Sequence, residues 1–281
     1  MPFDSAQALV TTKDIITLGI SVLALTLSVV STIYSAWRQR REAERQFRQR
    51  ITDITDTLIN SVAKVTLMDY LPSDQRSSNH EYVRGTEIQR IAARVRQADY
   101  LITDDTARLL TDVDYLAIAQ AFGLVGDSVQ AERYWALTLE FSQRPFYSAT
   151  NRRLYGFYLF SQGRPDDGRG QYERAIRDVT ESQETRDDQK CVEVGWIYED
   201  WMQSEARFQF PDRAQAMRDR AKAAYQKIGD EAQRQWRLAN LERTLQLYSG
   251  QAPPEASAPG TTTLTPDAPL TSVDPTRAVP S

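Results

Sequence analysis

The sequence predicts an all-α chain: an N-terminal transmembrane helix, then an α-solenoid of stacked helical hairpins. Three observations predict it. Residues 15–37 carry no charge; apolar residues recur at spacings of three and four from Phe47 onward; and small residues with turn signals recur at a fixed offset between 112 and 179. The 281 residues are 41% hydrophobic and 26% charged, a balance that supports a folded core rather than a fibrous or disordered chain.

Residues 1–14 read as a short, nearly neutral, non-cytoplasmic N-terminus. Ile15–Trp37 is 23 residues long, and 11 of them are Ile, Leu or Val. At about 1.5 Å per residue it makes about 35 Å of helix, enough to cross a hydrocarbon core of about 30 Å with some tilt. A secretory signal has a basic start and a shorter apolar run, whereas here the basic block follows the run. The Ser and Thr hydroxyls can bond back to the helix's own carbonyls. Tyr34 and Trp37 sit at the end, where amphipathic rings favour the interface. Residues 38–50 hold six arginines against Glu42 and Glu44. The positive-inside bias therefore predicts a single-pass protein of the inner (plasma) membrane, with its N-terminus outside and the remaining chain cytoplasmic. Anionic lipid accounts for the arginines without invoking nucleic acid. The small-residue ladder Ala24, Ser28, Thr32, with Ser31 and Ser35, offers a face for a homo-oligomer.

Residues 38–71 continue as a basic juxtamembrane segment and helical stalk. Phe47, Ile51, Ile54, Leu58, Val62 and Val65 form one apolar stripe, read either as a short coiled coil or, preferably, as a helix docked on the body. Residues 72–102 form a linker, with a polar loop at 72–79, and a helix from Glu81 to Tyr100 that carries Val83, Ile88, Ile91, Ala92 and Val95 on its apolar side. His80 and Glu81 read as a solvated cap region, and Asp104 and Asp105 as cap and first-turn acids.

Residues 103–249 form the body. Between Asp112 and Pro145 two amphipathic helices meet at a tight turn, Gly126-Asp127. Ala119 and Ala131 are small enough to let the helix backbones approach, and Trp135 with Thr138 continues the second helix's contact face. The same pattern returns 37 residues later with Gly156, Gly163, Gly168, Tyr172 and Ala175. These positions resemble the tetratricopeptide repeat, whose order is large, Leu, small, aromatic, turn Gly, Ala, aromatic, Ala. A third pair spans Lys190–Phe208 and Asp212–Ile228, with Ala214, Met217, Ala221 and Ala224 on one side, but its small–turn–small order is blurred. A capping helix follows from Glu231 to Tyr248, with Leu238, Leu241, Leu245 and Tyr248 buried. Residues 250–281 hold seven of the twelve prolines and read as a disordered tail.

The resemblance implies a groove lined by the first helix of each repeat. By position that face takes Leu116 and Gln120 in the first unit, and Arg153, Phe157 and Phe160 in the second. An arginine beside aromatics suits a protein or peptide partner. The family's carboxylate clamp uses Lys, Arg and Asn at such places, and Leu116 and Gln120 depart from it. The competing expectation is that the two phenylalanines pack against neighbouring helices.

Composition narrows the remaining chemistry. A net charge of -4 opposes a whole-chain nucleic-acid binder. The single cysteine, Cys191, opposes disulfide frameworks and multi-thiolate metal sites, and the single histidine leaves few His-based schemes for metal binding or catalysis. The loop 163–170, GRPDDGRG, lacks the ligand spacing of a calcium loop and the Gly-Lys-Ser/Thr of a phosphate loop, so it reads as a turn between repeat helices. No catalytic residue, cofactor or metal site is expected. The expected role is a membrane-anchored scaffold or adaptor. The alternative is a sensor or effector subunit that binds a small ligand and oligomerises through anchor and stalk.

Overall fold

The uncharged run, the arginine block and the stalk lie on one unbroken helix, α1 (Thr12–Asp69). The computed structural model describes the backbone of residues 12–69, 76–183 and 185–249, and the side chains of 28–69, 76–183 and 185–244. The expected tail, the first half of the polar loop, the side chains of 15–27, and those of Leu245 and Tyr248 lie outside the described residues. Among the described residues no helix is long and apolar enough to cross a membrane. Thr32 and Ser35 do bond back to the helix, to the carbonyls of Ser28 and Thr32, each at 2.9 Å.

Further along α1 the apolar stripe docks on the body. Ile51, Ile54, Leu58 and Val65 are buried, with Phe47 and Val62 at the border. They meet α2 (His80–Leu101) and α4 (Asp112–Leu124). The buried face of α2 corrects the expectation. Ile91 and Val95 are core, but Val83 is exposed, and His80 and Glu87 are buried instead. Glu87 tolerates burial because Lys64 of α1 donates to it at 2.5 Å and Arg90 at 3.1 Å. Those donors hold its carboxylate below the usual range, the Lys64 hydrogen bond contributing most. A single turn, α3 (Asp104–Ala107), follows, capped by Thr103 with both aspartates in its first turn.

Three antiparallel hairpins come next: α4 with α5 (Ser128–Phe141), α6 (Pro145–Ser161) with α7 (Pro165–Glu181), and α8 (Asp187–Arg207) with α9 (Pro211–Tyr225). α10 (Glu231–Ser249) closes against α8 and α9. No strand occurs among the described residues, so the fold is all-α. One core joins α1, α2, α4 and α5 to the end of α6; a second runs from α6 to α10. Buried Ala214, Met217, Ala221 and Leu241 occupy the second, with Leu238 and Cys191 at its edge, and Ala224 is buried as well.

The same turn closes all three hairpins. Gly126 and Gly163 have φ of 82° and 72°, and the third hairpin puts Gln209 in that region at 69°. Each turn is pinned by the same two hydrogen bonds. Asp127, Arg164 and Phe210 donate to carbonyls five residues back, at 3.1, 2.9 and 2.8 Å; the positive-φ residues donate three residues back. This is the Schellman stop. The third hairpin is thus in register with the others, its signal hidden because glutamine stands where glycine is expected. A left-handed non-glycine residue costs about 1–2 kcal/mol, and glycine's extra unfolded-state freedom returns about 0.5–1. Gln209→Gly is therefore expected to raise stability by about 0.5–1 kcal/mol in urea unfolding; a loss would mean that the glutamine side chain compensates its own strain.

Helices approach one another closely at the small positions. A Cβ on Gly156 would sit 3.0 Å from the Tyr172 ring and 3.1 Å from the Gly168 carbonyl, and one on Gly168 would sit 2.6 Å from Phe160. Ala119, Ala131, Trp135, Tyr172 and Ala175 are all buried. In the third hairpin the equivalents, counted from the turn, are Met202 and Ala214, and the closest approach moves to Gly195 against Tyr225.

Candidate functional site

The first helices of the hairpins neighbour one another, α4 beside α6 and α6 beside α8, and the closing helix α10 lies beside α8. Side chains at spacings of three and four on α6 and α8 meet an adjacent pair on α10. From α6 come Arg153 and Phe157, from α8 Glu193, Trp196 and Asp200, and from α10 Trp236 and Arg237.

Arg153 and Arg237 flank the Trp196 indole. The Arg153 guanidinium carbon lies 4.4 Å from the ring centre and that of Arg237 lies 5.6 Å away. Arg237 also lies 4.9 Å from the Trp236 ring. The four side chains thus alternate cation and indole across three helices, a spacing suited to cation–π attraction. Trp196 is 39% exposed and Trp236 58%, whereas the large aromatics of the hairpin interiors are buried.

Carboxylates set the charge here. Arg153, only 11% exposed, has Nε 3.0 Å from Asp200 Oδ2, close enough for an ion pair but not aligned for a hydrogen bond. Burial pushes the Asp200 carboxyl up to about 6; Arg153 opposes this shift and neighbouring Glu199 adds to it. Burial likewise raises Glu193, while Arg153 and Arg237 pull it down. Glu199 itself is consumed structurally, accepting from Tyr225 at 2.8 Å and Thr244 at 3.1 Å.

Of the five residues expected to line a groove, the structure brings two to this face. Arg153 is at its centre, and Phe157 is half-buried against Phe208, with the Arg207 guanidinium 5.6 Å from its ring. Phe160 is a correction. It is fully buried, edge-on to Tyr172 and beside Phe208, because it lies one turn after Gly156 on the stripe that meets α7. Leu116 is also corrected, since it packs against the first core. Gln120 is half-exposed on α4. Trp196, Asp200, Trp236 and Arg237 escaped the sequence, and repeat position gives no cue to them, because Gly195 does not share the place of Gly156 relative to its turn.

A concavity of about 350 Å³ lies elsewhere, between the α2–α3 connection and the first hairpin, lined by Ile102, Asp104, Tyr115, Arg133, Tyr134 and Leu137 among others. Its tyrosines are engaged: Tyr134 donates to Asp99 at 2.6 Å and Tyr115 to the Ala107 carbonyl at 2.8 Å. Among the described residues no group of three or more His, Cys, Asp or Glu side chains converges to hold a metal ion. In comparison with known proteins, no protein family, curated protein or solved structure matches this chain.

Proposed function

We propose that the chain is a membrane-anchored scaffold or adaptor of tetratricopeptide type, holding a protein or peptide partner at the cytoplasmic face of the inner membrane. One observation carries the proposal: a row of alternating guanidiniums and exposed indoles across α6, α8 and the closing helix α10, where α6 and α8 are first helices, the elements that line the binding face in that repeat family. Tryptophan and arginine are the residues that most often dominate protein interfaces. Three hairpins with one turn geometry and glycine- or alanine-mediated contacts support the repeat assignment. The uncharged 15–37 run, followed by arginines, supports the anchor, and Val29, Val30, Ile33, Tyr34 and Trp37 are exposed on the part of it that is described. Because α1 continues from that run into the core without a break, the body would stand at a fixed distance from the bilayer. Phe47, its first core contact, is about 15 Å beyond Trp37 at helical rise.

A photo-crosslinking amino acid at Trp236 of the full chain, in native membranes, is expected to give a discrete protein adduct. The same group at Val129, exposed on the second helix of the first hairpin, is expected to give none. Equal labelling from both positions, or none from Trp236, overturns the scaffold assignment. A reporter active only outside the cytoplasm, fused after Ser281, should be silent; activity there reverses the topology.

A further inference from the structure

We infer that Arg237 is the anion-recognising residue of this face, and that the partner presents a carboxylate side chain next to an aromatic or apolar one. The inference rests on the face being a protein-binding surface. Neighbouring arginines are compensated: Arg153 by Asp200, Arg234 by Glu231 and Arg218 by Glu242. Arg237 has no carboxylate within ion-pair distance among the described residues. Its Nε is enclosed and makes no hydrogen bond. The terminal Nη1 and Nη2 donors make none among the described residues, and the side chain as a whole is half-buried, not enclosed.

The guanidinium carbon lies 4.9 Å from the Trp236 ring centre and 5.6 Å from that of Trp196, so two indoles restrain it. A guanidinium is a planar fork matched to the two oxygens of a carboxylate. Fixing an arginine in advance removes much of the rotamer entropy that binding would otherwise cost. Trp236, more than half exposed beside the fork, supplies an apolar platform for the residue next to the acid. Glu193 lies close enough to interact electrostatically with both Arg153 and Arg237. Its charge favours a singly charged carboxylate over a dianionic phosphate.

The test uses the full chain in detergent and three fluorescein-labelled hexapeptides, read by fluorescence polarisation. They are Gly-Glu-Phe-Glu-Phe-Gly, its Gln-for-Glu counterpart and its phosphoserine-for-Glu counterpart. The Glu peptide is expected to bind best, and its affinity to fall with rising salt. Arg237→Gln should weaken it about tenfold or more, and Arg237→Lys nearly as much, because an ammonium lacks the fork. Arg213→Gln, which removes an exposed arginine of α9, should leave binding unchanged. Circular dichroism of each variant separates lost binding from lost fold, and Trp236→Ala gives a second lesion at the same site, with a similar loss expected. Equal binding of the Gln peptide, tighter binding of the phosphoserine peptide, full activity of Arg237→Gln, or a matching loss in Arg213→Gln overturns the inference. So does failure of the Glu peptide to bind, and if Trp236 still crosslinks a partner, the scaffold assignment survives that failure.

Discussion

Glu205→Ala is expected to destabilise the chain by about 3–5 kcal/mol, the usual cost of leaving one partner of a buried ion pair alone. Glu205 is 1% exposed and Arg169 10%. The carboxylate accepts from Arg169 Nε and Nη2, both at 2.7 Å, and from Trp201 Nε1 at 2.8 Å. Truncation strands a guanidinium between the rings of Phe160 and Phe210, 5.6 and 4.7 Å away. Its one remaining acid would be Asp166, an exposed side chain whose attraction is largely screened by water. The Trp201 N–H loses its acceptor as well, a loss of about 1–3 kcal/mol that overlaps with the first rather than adding to it.

A matched apolar pair separates the net worth of the bridge from the cost of breaking it. Arg169→Met with Glu205→Leu should be markedly more stable than Glu205→Ala, because both desolvation penalties vanish together. Urea unfolding followed by circular dichroism measures all three proteins. A loss below about 1 kcal/mol for Glu205→Ala would mean that water reaches Arg169 in the folded chain. The consequence extends to the binding face. This bridge joins α7 to α8, and the Tyr172–Trp201 stack at 5.5 Å reinforces the same seam. The seam sets how α8 lies against α6, hence how Trp196 meets Arg153.

Where the sequence spoke plainly, a steric or solvation rule left one residue type no substitute. Gly126 and Gly163 mark turns because few other side chains accept positive φ, and Phe47, Ile51, Ile54 and Leu58 announce a docked stripe because nothing else repays their exposure. Gln209 broke the first rule at the cost of strain, and so the third hairpin lost its register on paper while keeping its geometry. Without that register Met202 and Ala214 could not be matched to Gly156 and Gly168, and the close approach of Gly195 to Tyr225 has no counterpart in the repeat pattern. Glu87 was illegible for a different reason. An acid on a buried helix face becomes sensible only once Lys64, 23 residues away, is known to reach it. Phe160 was misplaced by following repeat position instead of helical phase; its spacing from Gly156 already assigned it to the α7 side.

Gly195→Ala is the other substitution with a large expected effect, about 3 kcal/mol, at the upper end of the overpacking range. A Cβ there would lie 2.3, 2.5 and 2.9 Å from atoms of the Tyr225 ring, distances that require something to move. The ring is poorly placed to yield. It is fully buried, and its hydroxyl donates to buried Glu199 at 2.8 Å, so a shift would leave that carboxylate short of a donor. The helices must then part, and α8 carries Trp196 as the next residue. Loss of stability should therefore be accompanied by a change in tryptophan emission and weaker partner capture at Trp236. Tyr225→Leu supplies the decisive control. By itself it costs stability through lost packing and the lost Glu199 bond, but in its background Gly195→Ala should cost less than about 1 kcal/mol, because the clashing ring is gone. Equal penalties in both backgrounds would place the cost of alanine in the α8 backbone and not in contact with α9.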